Sequence, residues 1–287
     1  MVISITEALP IIMINNVDYT YKSGTKALRG IKLNIYKSEL VSIMGQNGAG
    51  KTTLIRTLNG LLRPNNGNIY IEGENIQNKN IAQLSKDVGI IFQNPEHQLF
   101  ANTVKQEIEF SLKSFDLTKE ERDQKVQNIL EEFNFKRYEE RSPLNLSGGE
   151  KKKLALASII SRDPQILVFD EPTLGQDAKE IKFFINLIEK ERQKGKTIII
   201  ITHNIEFALN FIPRTILMAR GKILGDGPTR KILTNLSLVQ QSSLILPQIT
   251  QFKKNLEEIG LNVPEDLHSR EDMVKYLSNI IKTNRKR

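Results

Sequence analysis

Short apolar runs rich in β-branched residues recur along the chain, and between them apolar residues return at helical intervals. The runs at 11–21, 31–35, 40–44, 68–72, 88–92, 166–169, 197–201 and 215–218 predict strands. Turn signals lie at 22–25, 61–67, 220–222 and 225–228, with a last short strand between the final two. Helical spacing marks 53–58, 118–135 and 178–194. From about 94 to 162 no strand run appears, which predicts a helical subdomain inserted into a strand-rich core. Alternation of strand and helix on either side of it predicts an α/β fold whose parallel sheet is covered on both faces. Beyond about 236 the pattern turns to helix and Pro-containing loop, so 1–236 reads as the core domain and 237–287 as a small C-terminal extension. No internal repeat is visible.

Composition narrows this picture modestly. Of 287 residues, 39% are hydrophobic and 26% charged, ordinary for a globular chain with a sizeable core. Lys and Arg number 41 against 33 Asp and Glu, and the resulting +8 suits nucleic acid, an anionic membrane surface or nucleotide phosphates alike. The absence of cysteine excludes disulfides, thiolate metal sites and a cysteine nucleophile. Residues 1–10 lack the basic start and long apolar core of a secretory signal, and no apolar run reaches bilayer length. Any membrane role is therefore expected to pass through a partner.

Three stretches carry chemistry. Gly45, Gln46, Asn47, Gly48, Ala49, Gly50, Lys51 and Thr52, with Thr53 following, read G-x-x-x-x-G-K-T between a strand run and a helical one. The glycines let the backbone curl so that its N–H groups converge at a helix N-terminus, a nest for a polyphosphate. Lys51 is placed to reach the β- and γ-phosphates of ATP, and the Thr52 hydroxyl to ligate the accompanying Mg²⁺. The buried-strand run 166–169 ends in Asp170 and Glu171, at the carboxyl end of a parallel strand where ligands gather. There Asp170 suits the outer sphere of Mg²⁺, and Glu171 is one residue further, able to take a proton from an attacking water. Third, Ser147 and Glu150 have capping-box spacing around Gly148 and Gly149, ahead of a helical run. A bare first turn of this kind is a second anion site, though a simply capped helix explains Ser147 and Glu150 equally.

These stretches, with Gln93 after one strand and His203 after another, stand in the order found in the ATP-binding cassette ATPases, which the chain resembles from residue 11 to about 236. The resemblance implies the P-loop NTPase core of that family. It implies that Tyr21 stacks on adenine, that Gln93 touches Mg²⁺ and senses a transmembrane partner, and that Asp177 lies on a loop crossing a dimer interface. It also implies that His203 contacts the γ-phosphate, alongside Glu171 as the proton-accepting catalytic residue. Finally, it implies a head-to-tail homodimer or a heterodimer with a related chain, in which Ser147–Glu150 of one copy meets ATP held by the other. Two departures are visible, since Glu150 stands where Gln is commoner and Asn204 where Asp is.

A narrower resemblance, to the energy-coupling-factor ATPases, lies in Phe92–Val104, in Leu174-Gly175-Gln176-Asp177 and in the tail around Leu246-Pro247 and Val263-Pro264. It implies an ATPase peripheral to the cytoplasmic face of the membrane, working with a transmembrane coupling protein and a substrate-specificity membrane protein in uptake of a vitamin or transition-metal ion. It implies as well that the C-terminal extension contributes to the dimer contact, and no nucleic-acid partner is expected. The ATPase of a conventional importer and a non-transport cassette ATPase acting on nucleic acid or ribosomes remain the alternatives.

Overall fold

The computed structural model describes residues 9–94, 98–245, 248–261, 263–264 and 270–284. The first elements are β1 (Ile12–Thr20), β2 (Lys26–Ile35), β3 (Leu40–Met44), α1 (Lys51–Leu58), β4 (Asn66–Ile71), β5 (Glu74–Asn75), α2 (Ile81–Asp87) and β6 (Val88–Ile91). Three helices follow, α3 (Val104–Ser111), α4 (Lys119–Glu132) and α5 (Gly148–Ile160). Next come β7 (Ile166–Asp170), α6 (Ala178–Gln193), β8 (Thr197–Ile201), α7 (Ile205–Phe211), β9 (Arg214–Ala219) and β10 (Lys222–Pro228). Helices α8 (Thr229–Leu233), α9 (Leu236–Gln241), α10 (Gln248–Glu258) and α11 (Arg270–Asn284) close the chain.

The strands form two sheets. The larger has the order β10-β9-β3-β8-β7-β6, parallel throughout except for β10 at its edge. In its central strands alternate residues feed two cores. Leu40, Met44, Leu167, Phe169, Ile198 and Ile200 face a cluster shared with α3 to α9, while Val41, Ile43, Ile166, Val168, Ile199 and Ile201 face one shared with α1 and the second sheet. Burial on both faces is why these strands read as nearly continuous apolar runs.

The second sheet adds to the sequence reading, which has its strands but not their pairing into a sheet of their own. It is antiparallel, in the order β2-β1-β4-β5, and with α1 it covers a face that the alternation rule assigns to helices. A short turn between β1 and β2 permits only an antiparallel pair, whereas a parallel one needs a long crossover. Strand β2 also starts at Lys26, not at residue 31, because its first half is polar on the outer face and lacks an apolar run. The hairpin is joined to the larger sheet by the Arg29 N–H, which donates to the Gly221 carbonyl at 2.8 Å.

Between β6 and β7 the described chain is helical, and α3 and α5 pack together, with Ser111 and Ser161 hydroxyls 2.7 Å apart. Leu256, Val263 and Met273 form a small separate cluster with α10 and α11. Pro95, Glu96 and His97, in the stretch after Gln93, and Leu246 and Pro247 lie outside the described residues.

Candidate functional site

The phosphate-type loop leaves β3 in the middle of the larger sheet and turns directly into α1. Two of its glycines are forced by their neighbours. At Gly45 (φ +146°) a Cβ would stand 2.1 Å from the Met218 carbonyl oxygen, and at Gly50 (φ +102°) one would stand 2.6 Å from that of Ala27. The loop is thus pressed between β9 and β2, in left-handed conformations that glycine adopts without cost. Gly50 also caps α1 without any side chain, which leaves the first-turn amides of Lys51, Thr52 and Thr53 for an anion. The Gln46 N–H donates to the Ser242 carbonyl at 3.3 Å, so the turn after α9 braces the loop from behind. Asn47, Gly48 and Ala49 complete the curl, closed by an Ala49 N–H bond to the Gln46 carbonyl.

Lys51 is buried, and its ammonium donates to the carbonyls of Gly45 at 2.7 Å and Gln46 at 3.0 Å. Burial pushes its pKa below the ordinary lysine value, while the charges of Glu171 and Asp170 pull it back up. The Thr52 hydroxyl stands beside the Asp170 carboxylate and favours its charged form. Asp170 itself is pushed above the ordinary carboxylate range, by burial first and then by Glu171, with Lys51, Thr52 and Arg56 opposing. Burial opposes the charged form of this carboxylate, and a cation bound beside it would favour that form. Tyr21 reaches the same corner, its hydroxyl 2.9 Å from that of Thr53 and its ring edge-on to Tyr19.

Glu171 follows β7 with a left-handed φ of 52°, uncommon for a residue with a side chain. Its N–H donates to the Ile201 carbonyl at 2.9 Å, which fixes it to the end of the neighbouring strand β8. Its Oε1 lies 2.8 Å from Nδ1 of His203, just beyond β8. Glu171 is 11% exposed and His203 55%, so the carboxylate is shielded and the imidazole opens outward. Because a carboxylate accepts, Nδ1 carries the hydrogen and Nε2 is left free. Asn204, the second departure, caps α7 by accepting from the Phe207 N–H at 2.9 Å, work an Asp would do equally.

Ser147 caps α5. Its hydroxyl accepts from the Glu150 N–H at 3.3 Å, and Glu150 Oε2 accepts from both the Ser147 N–H and the Ser147 hydroxyl at 2.9 Å. These bonds, the backbone one foremost, hold the Glu150 carboxyl below its ordinary pKa. Gly148 and Gly149 form the first helical turn.

A cavity of about 390 Å³ brings Ser147, Gly149 and Glu150 together with Gln93, Asp170, Glu171 and Asp177, and none of its lining residues belongs to the 45–53 loop. Within one chain, then, the α5 turn and the acid-bearing end of β7 line one cavity to which the phosphate loop contributes no residue. Asp177 caps α6 reciprocally with Glu180, through Oδ1 to the Glu180 N–H at 2.8 Å and Glu180 Oε2 to the Asp177 N–H at 3.2 Å. Sequence reading passed over Glu180, although Asp177-x-x-Glu180 repeats the Ser147-x-x-Glu150 spacing that drew attention to the first turn of α5.

Among the described residues no cluster of three His, Cys, Asp or Glu could hold a metal alone. Hard oxygen donors from Thr52 and Asp170 do suit Mg²⁺, which takes one or two protein ligands beside substrate phosphates and water.

Comparison with known proteins places the site in context. The family model described as ABC transporter matches residues 28–174. The chain is 36% identical over 252 residues to the energy-coupling factor transporter ATP-binding protein EcfA of Methanococcus maripaludis, covering 87% of this chain and 91% of that protein. A putative ABC transporter ATP-binding protein of Methanosarcina acetivorans is 36% identical over 255 residues, and there the chain spans only 42% of the relative's length. Among solved structures, cbiO1 of Clostridium perfringens, described as part of the ABC transporter complex cbiONQ, superposes with a TM-score of 0.72 at 31% identity, over 85% of this chain and 99% of that one.

Proposed function

The chain belongs to the ABC transporter family of ATPases, and from that premise we propose that it is the ATP-hydrolysing subunit of an energy-coupling-factor importer. The observation that carries the hydrolytic part is the Glu171–His203 pair, 2.8 Å apart at the ends of two adjacent parallel strands. It lies at the strand edge where the phosphate loop also begins, the edge at which α/β sheets take their ligands.

In this reading the amides of the 45–53 loop and Lys51 hold the triphosphate, and Tyr21 packs on the base. Thr52, Asp170 and Gln93 would hold Mg²⁺, which when bound offsets charge on the phosphates. Glu171 accepts the proton of the attacking water. His203, oriented by its bond to Glu171, turns Nε2 outward, where the doubly protonated ring donates an Nε2–H to the γ-phosphate. Phosphoryl transfer needs positioning and charge stabilisation above all, so the site works once every donor is in place.

The donors come from two chains. The cavity of about 390 Å³ beside the α5 turn takes no lining residue from the phosphate loop of its own chain, which supports a role for the turn opposite the phosphate loop of another. Because one chain carries both halves, two copies suffice for two complete sites, and a related chain with the same halves would serve equally. Closure over ATP would drive the cargo step in membrane partners, a coupling protein and a substrate-binding protein that selects a vitamin or metal ion. No helix of the described residues is long and apolar enough to cross a membrane, in keeping with a peripheral place on its cytoplasmic face. Residues 237–287 are proposed as an extension that adds to the dimer contact, with 94–162 as the helical subdomain. Affinity capture from detergent-solubilised membranes tests the assignment. It is expected to recover an integral membrane pair without a soluble substrate-binding protein, and recovery of ribosomes or nucleic acid with no membrane protein would overturn it.

A further inference from the structure

Helices α5 and α6 meet at two points one turn apart. At the inner point the Lys153 ammonium lies 5.1 Å from the Phe183 ring centroid. At the outer point Glu180 Oε1 lies against Gly149, so close that a Cβ at residue 149 would stand 2.4 Å from it. The other oxygen of that carboxylate accepts from the Asp177 N–H, and Asp177 in turn accepts from the Glu180 N–H. A cation over a ring tolerates sliding, whereas a carboxylate fixed by a reciprocal cap does not. The outer contact therefore sets a carboxylate, fixed to the Asp177 cap, directly against the helix end that carries Ser147.

We propose that Glu180 is a positioning residue, a strut that holds the Ser147–Glu150 turn and the Asp177 loop in one fixed relation so that both reach a second chain's ATP together. This rests on the composite-site reading above. It also gives a use for glycine at 149, where a Cβ would stand 2.4 Å from Glu180 Oε1 and oblige the carboxylate to shift. Without the strut each chain still binds nucleotide, because the phosphate loop makes no use of Glu180. What suffers is assembly of the closed site, hence turnover at saturating ATP.

The experiment compares Glu180→Ala, Glu180→Gln and Ser147→Ala with the parent, measuring phosphate release and, in a Glu171→Gln background, ATP affinity. Glu180→Ala is expected to lower kcat about five- to tenfold, the order of one lost hydrogen bond, while ATP affinity stays within twofold. Glu180→Gln, which keeps the length and an acceptor oxygen, is expected to restore most of the turnover. A thermal double-mutant cycle tests the contact itself. Glu180→Ala should lower the melting temperature of the parent but not that of Gly149→Ala, in which the methyl group has already displaced the carboxylate. Parental kcat in Glu180→Ala, or equal melting shifts in both backgrounds, would overturn the strut. Unchanged turnover in Ser147→Ala would instead overturn the composite site on which it depends.

Discussion

Glu171→Gln isolates the proton-accepting role from everything else that side chain does. Glutamine has the same length and branching, so the left-handed φ of 52° is no harder to hold. Its amide oxygen still accepts from the His203 Nδ1–H now 2.8 Å away, and the imidazole keeps its orientation. What vanishes is a basic oxygen facing the water. Loss of a positioned general base costs about 10²- to 10⁴-fold, or roughly 3–5 kcal/mol of barrier. Nucleotide binding moves little, because two electrostatic changes oppose. Glu171 raises the pKa of Lys51, so its removal weakens the charge on the ammonium, yet it also raises that of Asp170, so its removal favours the ionised carboxylate that a metal needs. Phosphate release at saturating MgATP, paired with a nucleotide titration and size-exclusion analysis, reads all three quantities. Turnover is expected to fall at least a hundredfold, with affinity within threefold and an ATP-dependent dimer that accumulates. Hydrolysis within tenfold of the parent would remove Glu171 from the chemistry.

Other outcomes follow from the same geometry. Lys51→Ala deletes a buried ammonium whose charge-assisted bonds are each worth about 1.5–3 kcal/mol, so ATP affinity should weaken about ten- to a hundredfold in a nucleotide titration, and unchanged affinity would contradict the phosphate cradle. Asp170 has a raised folded pKa, chiefly from burial, so protons compete with the metal at pH values above the ordinary carboxylate range. MgATP affinity measured from pH 7 downward should fall before pH reaches that range, and should fall earlier in Arg56→Ala, which removes a charge that lowers this pKa. A profile flat to pH 4.5 in both proteins would exclude Asp170 from metal binding.

The sequence made the larger sheet easy to read because its strands are buried on both faces and are almost wholly apolar, Ser42 in β3 being a buried exception. It concealed the antiparallel sheet for the converse reason, since the first half of β2 and all of β5 face solvent on one side. Helix α2 was likewise missed, being seven residues long with Leu84 as its one buried position, too short for any period to show. At the site, spacing in the chain sufficed for Lys51, Asp170 and the Ser147–Glu150 box, whose reciprocal bonds are local. Contacts across long separations left no such trace. The Glu171–His203 pair spans two strands, Ser242 reaches back to Gln46, and Glu180 touches Gly149 on another helix. Only the fold brings these together.

The claim that one ATP is gripped by two chains is tested most directly by mixing two damaged copies. Lys51→Ala spoils the phosphate loop and Ser147→Arg the α5 turn, so either variant alone has no complete site. A mixed dimer has one site with both defects and one with neither. Mixing the inactive proteins is therefore expected to restore up to about a quarter of parental hydrolysis, since half the dimers are mixed and each holds one intact site. Activity that stays at the level of the separate variants, with mixed dimers shown to form, would mean that the loop and the turn do not act on the same nucleotide.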